Sequence, residues 1–134
     1  MKYIVSLIIL CWYSGCIAQE VSYKNEEPTK NDLAIIDATI GRDKNLITFT
    51  EKFDNDQIEV FVDQRSIYNG SISTEPSTGS ARGVEIDRNS DSILILINNE
   101  KIQLKNSTDY QFIYITKQNE KYIAEYQKKP ILFY

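Results

Sequence analysis

A small antiparallel β-sandwich is the fold class this sequence predicts, and three observations predict it. Short runs rich in Ile, Val, Tyr, Phe and Thr recur from Leu33 to the C-terminus. Clusters of Asp, Asn, Ser and Gly break them at intervals of about 8–12 residues, the spacing of a sandwich or barrel. No stretch beyond residue 18 holds an apolar 3.6-residue period long enough to leave much room for helix.

The chain begins with a different signal. Met1-Lys2 is a short basic start, Ile4 to Tyr13 is an apolar run broken only by Ser6, and Ser14-Gly15-Cys16-Ile17-Ala18 is rich in small residues. That order describes a secretory signal peptide, and the run is too short to cross a bilayer as a helix. Cleavage after Ala18 releases a chain starting at Gln19. Cleavage before Cys16 leaves its thiol to carry diacylglycerol and anchor the protein to a membrane. Tyr13-Ser14-Gly15-Cys16 resembles a bacterial lipobox, with Tyr13 where Leu is usual, which makes Cys16 the candidate lipidation site. The expected location is therefore the periplasm, the exterior, or a membrane surface reached only through that anchor.

Residues 19–32 are polar, contain Pro28 and show no period, and they read as a flexible leader. Residues 33–134 read as the folded domain. Its first element, Leu33 to Ile40, is ambiguous between helix and strand. Alternation of Ala34, Ile36, Ala38 and Ile40, with a branched composition, favours strand.

Leu46 to Phe53 follows as a strand, with a turn at Asp54-Asn55-Asp56. Ile58, Val60 and Val62 alternate in the next strand, which pairs across Asp63 to Ser66 with Ile67 to Thr74. Glu75 to Ala81, with Pro76 and Gly79, reads as the crossing between two sheets. Gly83 to Asp87 is expected to pair with Ser92 to Ile97. The unbroken apolar run Ile93 to Ile97 suits a strand covered on both faces, at the centre of the fold. Ile102 to Leu104 follows the turn at Asn98-Asn99-Glu100. Phe112 to Thr116 and Tyr122 to Tyr126 make a last hairpin, and Pro130 to Tyr134 ends the chain as an edge strand. An immunoglobulin-like or transthyretin-like sandwich fits this series, with a small β-barrel as the alternative.

Composition removes several chemistries. The chain has no histidine, and its two cysteines, Cys11 and Cys16, both lie within residues 1–18. A body starting at Gln19 thus lacks a His-based triad, a Cys nucleophile and a thiolate zinc site. Without residues 1–18 the chain carries 14 Lys and Arg against 19 Asp and Glu, a net charge of −5. That balance gives no footprint for nucleic acid and suits a basic partner or plain solubility.

Asp87, Asn89 and Asp91 alternate like the first ligands of a calcium loop. The pattern then fails, because Ser92 stands where the loop needs Gly and Asn98 where it needs Glu. These are turn residues first, and no metal or other cofactor is expected. Asn69-Gly70-Ser71 and Asn106-Ser107-Thr108 match glycosylation acceptors but read as turns.

Phe112 and Tyr114 share one strand face, and Tyr122 and Tyr126 share one on the neighbouring strand. Cross-strand packing in the core or at its edge is the expected role of these rings; aligned and exposed, the four would instead be a candidate binding face suited to stacking. The expected function is a non-catalytic exported module that binds a protein or envelope polymer, including an accessory subunit or inhibitor. A glycan-binding module and a small carboxylate-dependent hydrolase are the alternatives.

Overall fold

The computed structural model describes residues 7–9, 18–119 and 121–131. Ten strands and one helix fill them in the order β1 (Leu7–Ile9), β2 (Ala18–Tyr23), α1 (Lys30–Ala38), β3 (Lys44–Phe49), β4 (Asp56–Val62), β5 (Arg65–Ile72), β6 (Arg82–Asp87), β7 (Ser92–Ile97), β8 (Glu100–Lys105), β9 (Phe112–Gln118) and β10 (Lys121–Gln127). They form a six-stranded sheet, β1-β2-β10-β9-β3-β6, and a four-stranded sheet, β5-β4-β7-β8. The molecule is a small all-β sandwich, 52% strand and 8% helix.

Alternation builds the space between the sheets. Ile47, Phe49, Val84, Ile86, Ile113, Ile115, Tyr122, Ala124 and Tyr126 face inward from the larger sheet. Ile58, Val60, Ile93, Ile95, Ile97 and Ile102 meet them from the smaller one. Branched Ile and Val at every second position suit such a half-buried pleated surface.

Asn and Asp set the tight hairpins. Asp63-Gln64 (φ 48° and 69°) joins β4 to β5, and Asn98-Asn99 (φ 50° and 70°) joins β7 to β8. Two consecutive positive φ values match the twist of paired strands, and Asn and Asp tolerate them best. The four residues expected to separate β4 from β5 are thus reduced to two, and Arg65 and Ser66 already belong to β5.

Several expectations are corrected. Residues 30–38 form a helix and not a strand, because Thr29 and Asp32 make a reciprocal capping box. Leu33, Ile36 and Ile40 then fall on one helical stripe, packed on Phe112, Tyr114 and Leu46 on the outer face of the larger sheet. Second, the flexible leader contains β2, which runs parallel to β10. Its polar composition hid inward Gln19 and Val21, both buried, and Tyr23, packed against the core. Ion pairs Lys121–Glu20 (2.9 Å) and Lys24–Glu125 (3.1 Å) also join β2 to β10.

Third, β6 does not pair with β7. It pairs antiparallel with β3 in the larger sheet, and residues 88–91 cross to the smaller one. Fourth, β7 is covered on one face only, with Ile93, Ile95 and Ile97 inward and Leu94 and Leu96 half-buried outside. The strand covered on both faces is β9, with Ile113 and Ile115 in the main core and Phe112 and Tyr114 beneath α1. The final edge strand is absent at Pro130-Ile131, where the Ile131 N–H donates to the Tyr114 hydroxyl (2.6 Å). Residues 132–134 lie outside the described residues.

Polar side chains tie the two sheets together. Tyr126 donates its hydroxyl to the Lys105 carbonyl (2.6 Å), and Gln19 Nε2 donates to the Gln103 carbonyl (2.9 Å). Asn106, just beyond β8, donates through Nδ2 to the carbonyls of Asp87, Arg88 and Ser90, and its Oδ1 accepts from buried Asn45 on β3 (2.7 Å). These contacts hold the 88–91 crossing against both sheets, which a glycan on Asn106 would break. Asn69 is no turn residue either, since it lies within β5.

At the other end, the buried Asp56 carboxylate on β4 faces Lys117 Nζ on β9 (3.3 Å) and accepts from Asn98 Nδ2 (2.7 Å) and the Asp54 N–H (3.0 Å). Burial alone raises the Asp56 pKa. The hydrogen bonds and the Lys117 charge outweigh it and hold the carboxyl below the usual value of 3.8.

Two outcomes are expected. Asn106→Ala leaves three carbonyls and Asn45 short of partners and lowers stability by about 2–3 kcal/mol in urea denaturation; a loss under about 0.5 kcal/mol contradicts the clamp. Asp56→Asn costs about 1–3 kcal/mol at neutral pH. The folded pKa of Asp56 is depressed, so its contribution is complete above the ordinary carboxylate value and disappears as pH falls through the folded one. The stability gap between wild type and Asp56→Asn therefore narrows below about pH 4, and a gap that stays constant into strong acid refutes the assignment.

Candidate interaction surface

The four aromatics pack in the interior, as cross-strand packing predicts, and the candidate aromatic binding face does not form. Phe112, Tyr114, Tyr122 and Tyr126 are all buried, at 2%, 4%, 6% and 2% exposure. Cross-strand register explains it. Tyr122 and Tyr126 sit opposite Lys117 and Ile113, on the core face, whereas Tyr114 sits opposite Glu125 on the other. The two pairs point to opposite sides of one sheet, so no ladder links them. Tyr126 stacks on Tyr23 at 4.8 Å between ring centroids, and Phe112 stacks on Tyr114 at 6.3 Å. Burial pushes the Tyr114 and Tyr122 hydroxyls up to about 12. No sugar reaches these rings.

The turn carboxylates do not converge either. Asp87 is ion-paired with Lys44. The backbone N–H groups of Asp91 and Ser92 donate to Asp63 Oδ1 (3.1 and 3.0 Å), which lowers the Asp63 pKa. Asp63 therefore fastens the β4–β5 turn to the start of β7. A groove of about 360 Å³ runs between the sheets here, lined by Lys44, Asp63, Arg65, Glu85 and Asp87. Among the described residues, no three His, Cys, Asp or Glu side chains are grouped to hold a metal. Cys16, the candidate lipidation site, lies outside the described residues.

The Glu75 to Ala81 segment does cross between the sheets, from β5 to β6. It is a compact turn in which the Gly79 N–H (φ 75° at Gly79) donates to the Glu75 carbonyl at 2.8 Å. Arg82 lies over the Tyr68 ring at 4.8 Å, so its cation is already engaged by an aromatic face.

The surface that sequence reasoning missed is the outer face of the smaller sheet. Phe61 on β4 and Leu94 on β7 are direct cross-strand partners, and Leu96 is two residues further along. All three are half-buried on the side away from the core. The helix among the described residues lies on the other sheet and does not cover them. Phe61, Leu94, Gln103 and Lys105 help to line a shallow cavity of about 690 Å³ here.

The flanks of this strip differ. Toward β5 a polar ladder runs over the sheet, in which Ser66 donates to Glu59 (2.8 Å), Ser71 donates to Gln57 (3.1 Å), and Gln57 donates to Asn69 (2.9 Å). Toward β8 stand Lys101, Gln103 and Lys105, directly across from Leu96, Leu94 and Ser92. The result is an apolar centre with a hydrogen-bonded neutral-to-acidic border on one side and a basic border on the other. An apolar centre with a polar rim is the usual anatomy of a protein-binding surface. The sequence did carry the signal, because Val60-Phe61-Val62 and Ile93 to Ile97 break alternation at positions that prove to be paired.

No protein-family model matches the chain, and no curated protein matches it in sequence.

Proposed function

We propose that this chain is an exported, non-catalytic β-sandwich module that binds a protein or envelope polymer partner through the outer face of its smaller sheet. The observation that carries the reading is the paired, half-exposed Phe61 and Leu94 beside Leu96. A strand needs its inward residues for folding, whereas its outward ones are free to be polar, as Glu59 and Gln103 are. Large apolar side chains placed at adjoining outward positions favour contact with another surface. Lys101 and Lys105 would meet acidic or carbonyl groups on that surface. Export rests on the composition of residues 1–18, and anchoring rests on Cys16.

The test has two arms. Envelope fractions from cells producing the full chain are labelled with radioactive palmitate, and the N-terminus is sequenced. Label at Cys16 that disappears in Cys16→Ala marks an anchored protein, and an unlabelled chain starting at Gln19 marks a released one. A chain still starting at Met1 refutes export. In the second arm, Leu94→Lys keeps stability within about 1 kcal/mol of wild type and abolishes capture of envelope partners, while Ser77→Lys on the remote 75–82 turn retains it. Equal capture by wild type and Leu94→Lys excludes this face.

A further inference from the structure

A sheet that ends on an unpaired strand offers a row of N–H and C=O groups to any extended chain, and proteins usually defend such edges. The two edges of the smaller sheet and one edge of the larger are defended here. Strand β8 carries Lys101 and Lys105, and β6 carries Arg82, Glu85 and Asp87. Strand β5 carries Arg65, and its register against β4 slips between Val60 and Phe61.

Strand β2 is built differently. Glu20 is the charged residue within it, and Lys121 already neutralises that carboxylate at 2.9 Å. The Lys24 N–H donates to the Tyr126 carbonyl (2.9 Å), so strand alternation turns the backbone groups of Gln19, Val21 and Tyr23 away from β10. In the structure β1 takes that outer side, antiparallel, with Leu7 opposite Val21 and Ile9 opposite Gln19. Strand β1, however, lies within residues 1–18. A chain cut before Cys16 or after Ala18 loses β1 and keeps Gln19 to Tyr23, leaving an undefended edge with the geometry of an antiparallel acceptor.

We propose that in the processed protein a second copy of β2 takes the place of β1, pairing antiparallel about a two-fold axis at Val21. The inference rests on the export reading above. Cross-strand partners share a face, so the axis falls on a residue. Centring on Glu20 sets two acids opposite each other, which is unfavourable. Centring on Val21 uses the whole segment from Gln19 to Tyr23. It pairs Gln19 with Tyr23 and Glu20 with Ser22 of the second copy. Such a contact is isologous, so it closes at two chains and buries both open edges, where a heterologous edge contact would grow into a filament.

The experiment uses chain processed in cells and isolated from the envelope, with its N-terminus sequenced. Whether Cys16 is removed or lipid-capped, the processed body holds no free thiol, so single cysteines report cleanly. The expected light-scattering mass is twofold that of one chain. Glu20→Cys chains mixed with Ser22→Cys chains form an interchain disulfide on mild oxidation, and neither variant does so alone, because only the mixture places the two thiols opposite each other. A processed wild-type chain with the mass of one copy overturns the inference and leaves export standing. A dimer whose mixed variants fail to cross-link, or which cross-links equally through either variant alone, overturns it as well. A chain that retains residues 1–18 overturns export and inference together.

Discussion

Coverage of strand β9 on both faces is the constraint on which the rest of this structure depends. Its sequence, Phe112-Ile113-Tyr114-Ile115, is apolar at four successive positions, so one face cannot be left to water without a large transfer cost. Ile113 and Ile115 are satisfied by the opposing sheet. Phe112 and Tyr114 require a second layer, and α1 supplies it through Ile36, with Leu33 and Ile40 at its border. This explains an unusual feature of a small sandwich, a helix of nine residues placed between two strands of one sheet. It also explains the parallel pairings of β9 with β3 and of β10 with β2, since the chain must cross the sheet to lay the helix down and then re-enter.

The smaller sheet has no such second layer. Its inner face is complete without one, because Ile58, Val60, Ile93, Ile95, Ile97 and Ile102 bury fully against the larger sheet. Phe61, Leu94 and Leu96 are thus apolar residues for which the fold has no use, on an otherwise polar face. That asymmetry, one sheet covered twice and one covered once, separates a packing explanation of the aromatic pairs from a binding explanation of the leucines. Phe112 and Tyr114 have their cover within the chain, and Leu94 and Leu96 do not.

Much of the architecture was legible in the sequence because period-two alternation and Asn- or Asp-rich turns are local signals. The hairpins joining β4 to β5, β7 to β8 and β9 to β10 follow from them, although the strands reach further into the turns than the turn residues alone indicate. What escaped was non-local. The alternation in Leu33 to Ile40 was real but coexisted with a helical stripe, and the capping box at Thr29 and Asp32 decided between them. Strand β2 was hidden because Gln19 and Glu20 look like loop residues, although Gln19 is buried with its amide held by the Gln103 carbonyl. The apolar strip on the outer face of the smaller sheet escaped for the same reason. An apolar run such as Ile93 to Ile97 states that both faces are apolar and says nothing of which face the chain itself will cover. Only the partner strands settle that, and β7 lies between β4 and β8 in a one-sided sheet.

The two proposed surfaces also bear on each other. Antiparallel strands related by a two-fold axis within a sheet require that axis to stand perpendicular to it, so both copies keep the same face on the same side. Pairing through β2 would extend the larger sheet from one copy into the next, with α1 of each copy on one side of the extended sheet. Both smaller sheets then lie together on the other side, and their outer faces, with Phe61, Leu94 and Leu96, point the same way. A repetitive partner, whether a polymer or an ordered protein array, would meet two such faces at once, and linked binding raises avidity well beyond a single weak contact. An apolar strip presented in duplicate would hold such a partner more firmly than one strip alone. On the export reading, loss of residues 1–18 would also expose the edge through which the proposed binding faces are paired.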